Sequence, residues 1–163
     1  VSASTGMVSG GSAGIANITY TLPAGCFTVT TVTVNPLPAA IGGTNNVCVG
    51  STTTLTNSST GGTWSSSTPT LATIGSASGT ISGLASGTLT ITYTLPTGCY
   101  ITMPFTVNPL PASITGTAVV CVNATVTLSN SSTGGIWSSS NTGIATVVAG
   151  TGVVTGISGG IDT

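Results

Sequence analysis

Residues 88–95 read TLTITYTL and residues 96–99 read PTGC. Leu89, Ile91, Tyr93 and Leu95 alternate with Thr88, Thr90, Thr92 and Thr94. Successive side chains of a strand point to opposite faces, so strict alternation marks a strand with one buried and one wet face. Pro96, Thr97 and Gly98 supply a hairpin loop. Alternation then resumes with Ile101, Met103, Phe105 and Val107. The stretch predicts an antiparallel hairpin with one apolar face.

Shorter strands are predicted upstream. Residues 52–56 (TTTLT) place Thr53 and Leu55 on one face. Trp64 leads a strand after the turn at Gly61 and Gly62, and residues 70–74 and 80–84 flank a turn at Ser78 and Gly79. Six strands are placed by these patterns, and the expectation is a two-sheet sandwich of seven short strands with the Trp on the third. Its expected core contains Leu55, Trp64, Ile91, Tyr93 and Phe105.

The same pattern recurs. VNPLPA stands at 34–39 and at 107–112, and TYTLPAGC at 19–26 matches TYTLPTGC at 92–99. Tyr20 and Tyr93, Cys26 and Cys99, Cys48 and Cys121, and Trp64 and Trp137 are each 73 apart. Aligning 34–90 with 107–163 gives 31 identities in 57 positions without a gap. Such self-similarity is the signature of a repeat architecture. VNPLP cannot continue a central strand, so it marks the cut. Residues 34–106 are then a complete repeat, residues 1–33 the back of a preceding one and residues 107–163 the front of a following one. Trp137 belongs to the core of that last repeat.

Composition narrows the function. The 163 residues include no Lys, Arg, His, Glu or Gln, and Asp162 is the single charged side chain. Ser and Thr number 57 and Gly 24. Without cationic side chains the chain cannot displace counterions from phosphates, which excludes nucleic acid and polybasic membrane contacts as partners. No apolar run is long enough for a transmembrane segment. One Asp, three Tyr and four Cys leave little for acid–base chemistry, so no enzyme and no cofactor are expected. Calcium sites need clustered carboxylates and fail by count. Missing helix formers and abundant Thr and Val predict an all-β chain. Neither an initiator Met nor a signal peptide is present, so the chain is expected to start inside a longer product or after processing.

The run GGTWSSSTPTLATIGSASGTISGLASGTLTITYTL, at 61–95, resembles the bacterial Ig-like domain, group two. IWSSSNTGIATVVAGTGVVTGISGG, at 136–160, is similar to it as well. The cysteine placements look like those of tandem Ig-like repeats in large secreted and surface proteins of Gram-negative bacteria. The resemblance implies tandem Ig-like antiparallel β-sandwiches that serve as stalks, adhesins or surface fibres. Many relatives bind calcium at domain junctions, and this chain lacks the carboxylates to do so.

An even cysteine count in an oxidising compartment implies disulfides among Cys26, Cys48, Cys99 and Cys121. Free buried thiols are the alternative. The Ig-like topology puts Cys48 at one end of its domain and Cys99 at the other, roughly 25 Å apart and beyond disulfide reach. Three pairings stay open: Cys48 with the counterpart of Cys99 in the next repeat, at position 172 beyond the chain end, Cys48 with Cys99, or Cys26 with Cys48 together with Cys99 and Cys121.

The exposed Thr rows, Thr52, Thr54, Thr56 and Thr88 to Thr94, fit an ordinary wet strand face. They also fit an ice-binding array or a carrier of O-linked glycans. Sequons at Asn17, Asn57, Asn123 and Asn130 are expected by chance in so Ser/Thr-rich a chain. Net charge near zero favours association, and absence of Lys and Arg leaves trypsin nothing to cut. The expectation is an extracellular or cell-surface structural protein that forms a fibre, stalk or filament. The alternatives are an adhesin and, more remotely, an ice-binding repeat. Neither terminal part can close a sandwich alone. Copies are therefore expected to join head to tail, by docking of half-domains or because the polypeptide continues through the cut, as in a segment of a longer chain.

Overall fold

TLTITYTL lies in the centre of the one complete sandwich in this structure, a computed structural model that describes residues 1–2 and 4–162. The described residues form strands and no helix. In chain order the strands are β1 (Gly14–Thr21), β2 (Phe27–Val34), β3 (Asn46–Cys48), β4 (Thr52–Thr54), β5 (Thr63–Ser66) and β6 (Ala72–Ile74). They continue with β7 (Thr80–Gly83), β8 (Gly87–Thr94), β9 (Tyr100–Asn108), β10 (Thr125–Thr127), β11 (Ala145–Val147) and β12 (Val153–Gly156). By packing, the chain divides into two units, Val1–Pro109 and Leu110–Thr163.

Within the first unit, β8 and β9 pair from Gly87↔Val107 to Thr94↔Tyr100. Gly98, at φ +85°, turns the loop between them, and its N–H donates to the Leu95 carbonyl at 2.9 Å. The hairpin is the middle of a four-stranded sheet, β3-β9-β8-β5. The facing sheet is β4-β7-β6. All pairings are antiparallel except β3 with β9. β3 is absent from the strands read in the sequence. Asn46, Val47 and Cys48 carry no local alternation, and their strand character comes from a parallel partner sixty residues away.

Between the sheets lies a core with no buried polar residue among the described ones. Leu89, Ile91, Tyr93, Phe105 and Val107 of the central hairpin meet Ala72 and Ile81 of the smaller sheet and Leu55, which follows β4. Trp64 closes one side, its ring 4.6 Å from that of Tyr93 and tilted by 53°. Each fully buried side chain of this size contributes about 1.5–3 kcal/mol. Asn57 ties the incoming chain to the sandwich. Its Nδ2 donates to the Ala39 carbonyl at 2.6 Å, its Oδ1 accepts from Ser59 N–H at 2.8 Å, and Ala39 N–H donates to Ser59 Oγ at 2.9 Å.

The second unit is one half of this design. The sheet β10-β12-β11 has the registers of β4-β7-β6 moved by 73: Thr125↔Thr155 matches Thr52↔Ser82, and Ala145↔Gly156 matches Ala72↔Gly83. The polar clamp returns as well, with Asn130 Nδ2 donating to Ala112 at 2.5 Å and Ser132 N–H to Asn130 Oδ1 at 2.7 Å. Residues 119–121 and 136–139 correspond to β3 and β5 but form no strand. These are the two segments whose ladder partners, in the complete sandwich, are β9 and β8.

The other half stands at the opposite end of the sequence. β1 and β2 pair from Gly14↔Val34 to Thr21↔Phe27, and every one of the eight pairs is the β8–β9 pair moved by 73. Here no β3 or β5 flanks the hairpin, since the two strands form a sheet of their own.

Candidate assembly surface

The sheet of the second unit leaves open the face that β8–β9 covers in the complete sandwich. Leu55, Trp64, Ala72 and Ile81 are buried in the complete sandwich, whereas Leu128, Trp137, Ala145 and Val154 at the corresponding positions are only half-buried. Trp137, expected in a core, is thus not in one. Ile136 is 84% exposed and Val119 79% exposed. Two open grooves run over this face. One, of about 450 Å³, is lined by Val120, Val126, Leu128, Ala145 and Val154 among others. The other, of about 650 Å³, is bounded by Ser132, Gly135, Ile136 and Trp137.

The second groove has the outline of a tyrosine site. In the complete sandwich the Tyr93 hydroxyl donates to the Ser59 carbonyl at 2.6 Å and accepts from the Gly62 N–H at 3.0 Å. A Cβ on Gly62 would stand 2.5 Å from the Tyr93 ring, so only glycine fits. Ser132 and Gly135 are the corresponding residues. Nothing lies within 4 Å of a Cβ built on Gly135. The local sequence that admits a tyrosine ring is repeated, and the ring is absent from the unit.

That ring is found on the lone hairpin. Tyr20, the counterpart of Tyr93, is 69% exposed, against 5% for Tyr93. Ile18, Val32 and Val34, the counterparts of Ile91, Phe105 and Val107, are half-buried. The face that β8–β9 turns into a core is therefore only partly covered on β1–β2, where Gly10 lies against Val34 as Gly83 lies against Val107.

All four cysteines are free, with Cys26, Cys48 and Cys121 exposed and Cys99 half-buried. Neither Cys48–Cys99 nor Cys26–Cys48 with Cys99–Cys121 is formed, which corrects the expectation of bonds within the chain. The reason is placement. Cys48 pairs with Asn108 at the far end of β9, while Cys99 precedes Tyr100 at its near end. Nine strand residues separate them by roughly 30 Å, and a disulfide spans Cα atoms only about 4.4–6.8 Å apart.

The remaining candidates are quickly placed. Thr88 and Thr90 are exposed and Thr92 and Thr94 half-buried. At the places of Thr88 and Thr90, β1 has Ile15 and Asn17, while Thr19 and Thr21 repeat Thr92 and Thr94, so only half of the Thr row recurs. Asn57 and Asn130 have their amides committed to the clamp, and Asn17 Oδ1 accepts from Thr31 at 3.1 Å. Asp162 accepts from the Ser139 hydroxyl at 2.6 Å and from that of Ser140. Among the described residues no three Cys, Asp, Glu or His side chains gather as metal ligands, and no helix is long and apolar enough to cross a membrane.

A sandwich of this topology, with a Trp on β5, the third strand of the repeat, is of the Ig-like class. Residues 28–98 match the family model of the bacterial Ig-like domain (group 2). This is the family expected from the WSSS and Gly-turn stretches, and the match spans 71 of the 163 residues. Among solved structures the chain is similar to domains 4 and 5 of the S-layer protein SbsC, at 18% identity and a TM-score of 0.44, covering 77% of this chain and 90% of that one. It is also similar to the structure of SbsC domains 1–6, at 17% identity and a TM-score of 0.43, and covers 92% of this chain and 32% of that one. Of the structure of SbsC domains 4–9 it spans 28%, at 18% identity and a TM-score of 0.42. A search of the curated proteins returned no match.

Proposed function

We propose that the protein is a structural component of a bacterial surface or extracellular layer, built from Ig-like sandwiches that complete one another end to end. The observation that carries this reading is the pair of complementary halves. The chain holds one whole sandwich, one hairpin in the register of its large sheet, and one small sheet in the register of its other sheet. The hairpin that completes an open sheet stands, as β8–β9 does, directly after it within one repeat, and the β1–β2 hairpin of a second copy can take that place. In this arrangement β2 pairs with residues 119–121, β1 pairs with residues 136–139, and Tyr20 enters the groove at Gly135. Unpaired strand edges and an uncovered apolar face recruit such a partner. The complete sandwich is joined at Asn35, beside the β8–β9 loop, and left at Asn108, at the other end of β9. Addition of copies therefore extends a filament. The family match and the near absence of charge support an assembly role at a surface over binding of a charged ligand.

The test is the mass of the purified chain in solution, followed by light scattering as concentration rises, with reductant present. Growth into linear oligomers is expected. Ile18→Asp, which puts a carboxylate on the inner face of the hairpin, should leave a monomer with an unchanged unfolding curve for the complete sandwich. A chain that stays monomeric at every concentration would overturn the reading.

A further inference from the structure

Two observations inside the first unit locate the cysteines at the joints between repeats. Cys48 is the ladder partner of Asn108, and the next residue, Val49, donates its N–H to the Asn108 carbonyl at 2.9 Å. Cys99 directs its thiol to the carbonyl of Asn35, with Sγ 3.8 Å away. Asn35 and Asn108 are the same position of the repeat, each followed by Pro36 or Pro109 and 73 residues apart. One kind of cysteine thus sits on the joint from the preceding sandwich and the other kind from the following one. Within the chain each is alone, since Cys48 needs a β8–β9-type loop beyond Asn108, and Cys99 needs a Cys48-type residue before Asn35.

We infer that the two kinds of cysteine are a latch that closes across each joint when a repeat is completed. The inference rests on the end-to-end reading above and names which residues meet. When the hairpin of one copy completes the open sheet of another, Cys26 comes to Asn108 of the acceptor copy, where Cys48 already lies. Cys121 of the acceptor copy comes to Asn35 of the donor copy, where Cys99 already lies. Neighbours along a ladder are about 4.8 Å apart, so Cys48 and a thiol in contact with the Asn108 carbonyl are within disulfide reach. Each joint takes one bond, and each pair of copies two. A low-molecular-weight disulfide such as oxidised glutathione is the oxidant. The two thiols lose two protons and two electrons, one S–S bond forms between the proteins, and the oxidant leaves as two thiols.

The experiment uses the full chain in two stages. Light scattering in reductant first reads assembly without covalent bonds. Reductant is then exchanged for oxidised glutathione, and chains are separated by non-reducing electrophoresis and mapped by mass spectrometry after chymotrypsin digestion. A ladder of covalent multimers is expected, with linked peptides Cys26–Cys48 and Cys99–Cys121 and no others. Cys26→Ser should retain the ladder through Cys99–Cys121, and the double variant Cys26→Ser, Cys99→Ser should lose it while still assembling in reductant. Assembly with thiols that stay free, or with other pairings, would overturn the latch and leave the end-to-end reading standing. Neither assembly nor linked peptides would overturn both.

Discussion

Gly62 and Gly135 occupy the same place in two copies of one sequence, and only one of them has a neighbour that requires glycine. The Tyr93 ring fills the space beside Gly62, while the space beside Gly135 is open. Gly62→Val should therefore overpack the complete sandwich and lower its stability by about 1–3 kcal/mol, read as a lower denaturation midpoint. Gly135→Val should leave that midpoint unchanged and abolish oligomer growth in light scattering. Equal loss of stability in both variants would contradict the assignment of Gly135 to a ring supplied from outside. At this scale the sequence was informative about identity and not about environment. Leu55, Trp64, Ile91, Tyr93 and Phe105 lie in the core that alternation and the single Trp indicated. Trp137 has the same flanking WSSS, yet it is half-buried, because its unit holds the sheet β10-β12-β11 and no hairpin like β8–β9.

The hairpins make the corresponding case for whole elements. An isolated two-stranded hairpin is marginal in water, and β1–β2 has the same register as β8–β9 without its flanking strands. Tyr93→Ala removes a buried ring and two hydrogen bonds, and should cost the complete sandwich about 3–5 kcal/mol in chemical unfolding. Tyr20→Ala should leave that unfolding unmoved and weaken association. Long strands were legible because eight or nine alternating residues outweigh local noise, as in β8 and β9. β3 was not, since three residues, Asn46, Val47 and Cys48, acquire their conformation from Thr106, Val107 and Asn108. The contrast with residues 119–121 shows this directly: Val120 and Cys121 repeat Val47 and Cys48, and without a β9 they form no strand. The two half-sandwiches were legible from the repeat, since the period of 73 aligns residues 1–33 with 74–106 and residues 107–163 with 34–90.

For the molecule as a whole, the forces available to assembly are apolar burial and backbone pairing. With one Asp and no Lys or Arg, there is almost no charge for salt to screen. Association should therefore be insensitive to sodium chloride and should strengthen in ammonium sulfate, which favours apolar burial. Sedimentation across a salt series checks this, and loss of oligomers in moderate sodium chloride would point to ion pairs the chain does not have. The central claim, that the lone hairpin of one copy completes the open sheet of another, is tested most directly by mixing two variants that cannot grow alone. One carries Ile18→Asp and keeps its open sheet. The other carries Val154→Asp, which charges the open sheet, and keeps its hairpin. Light scattering on the equimolar mixture should give a single closed dimer of twice the 15.5 kDa chain mass. A mixture that remains two monomers would contradict the account.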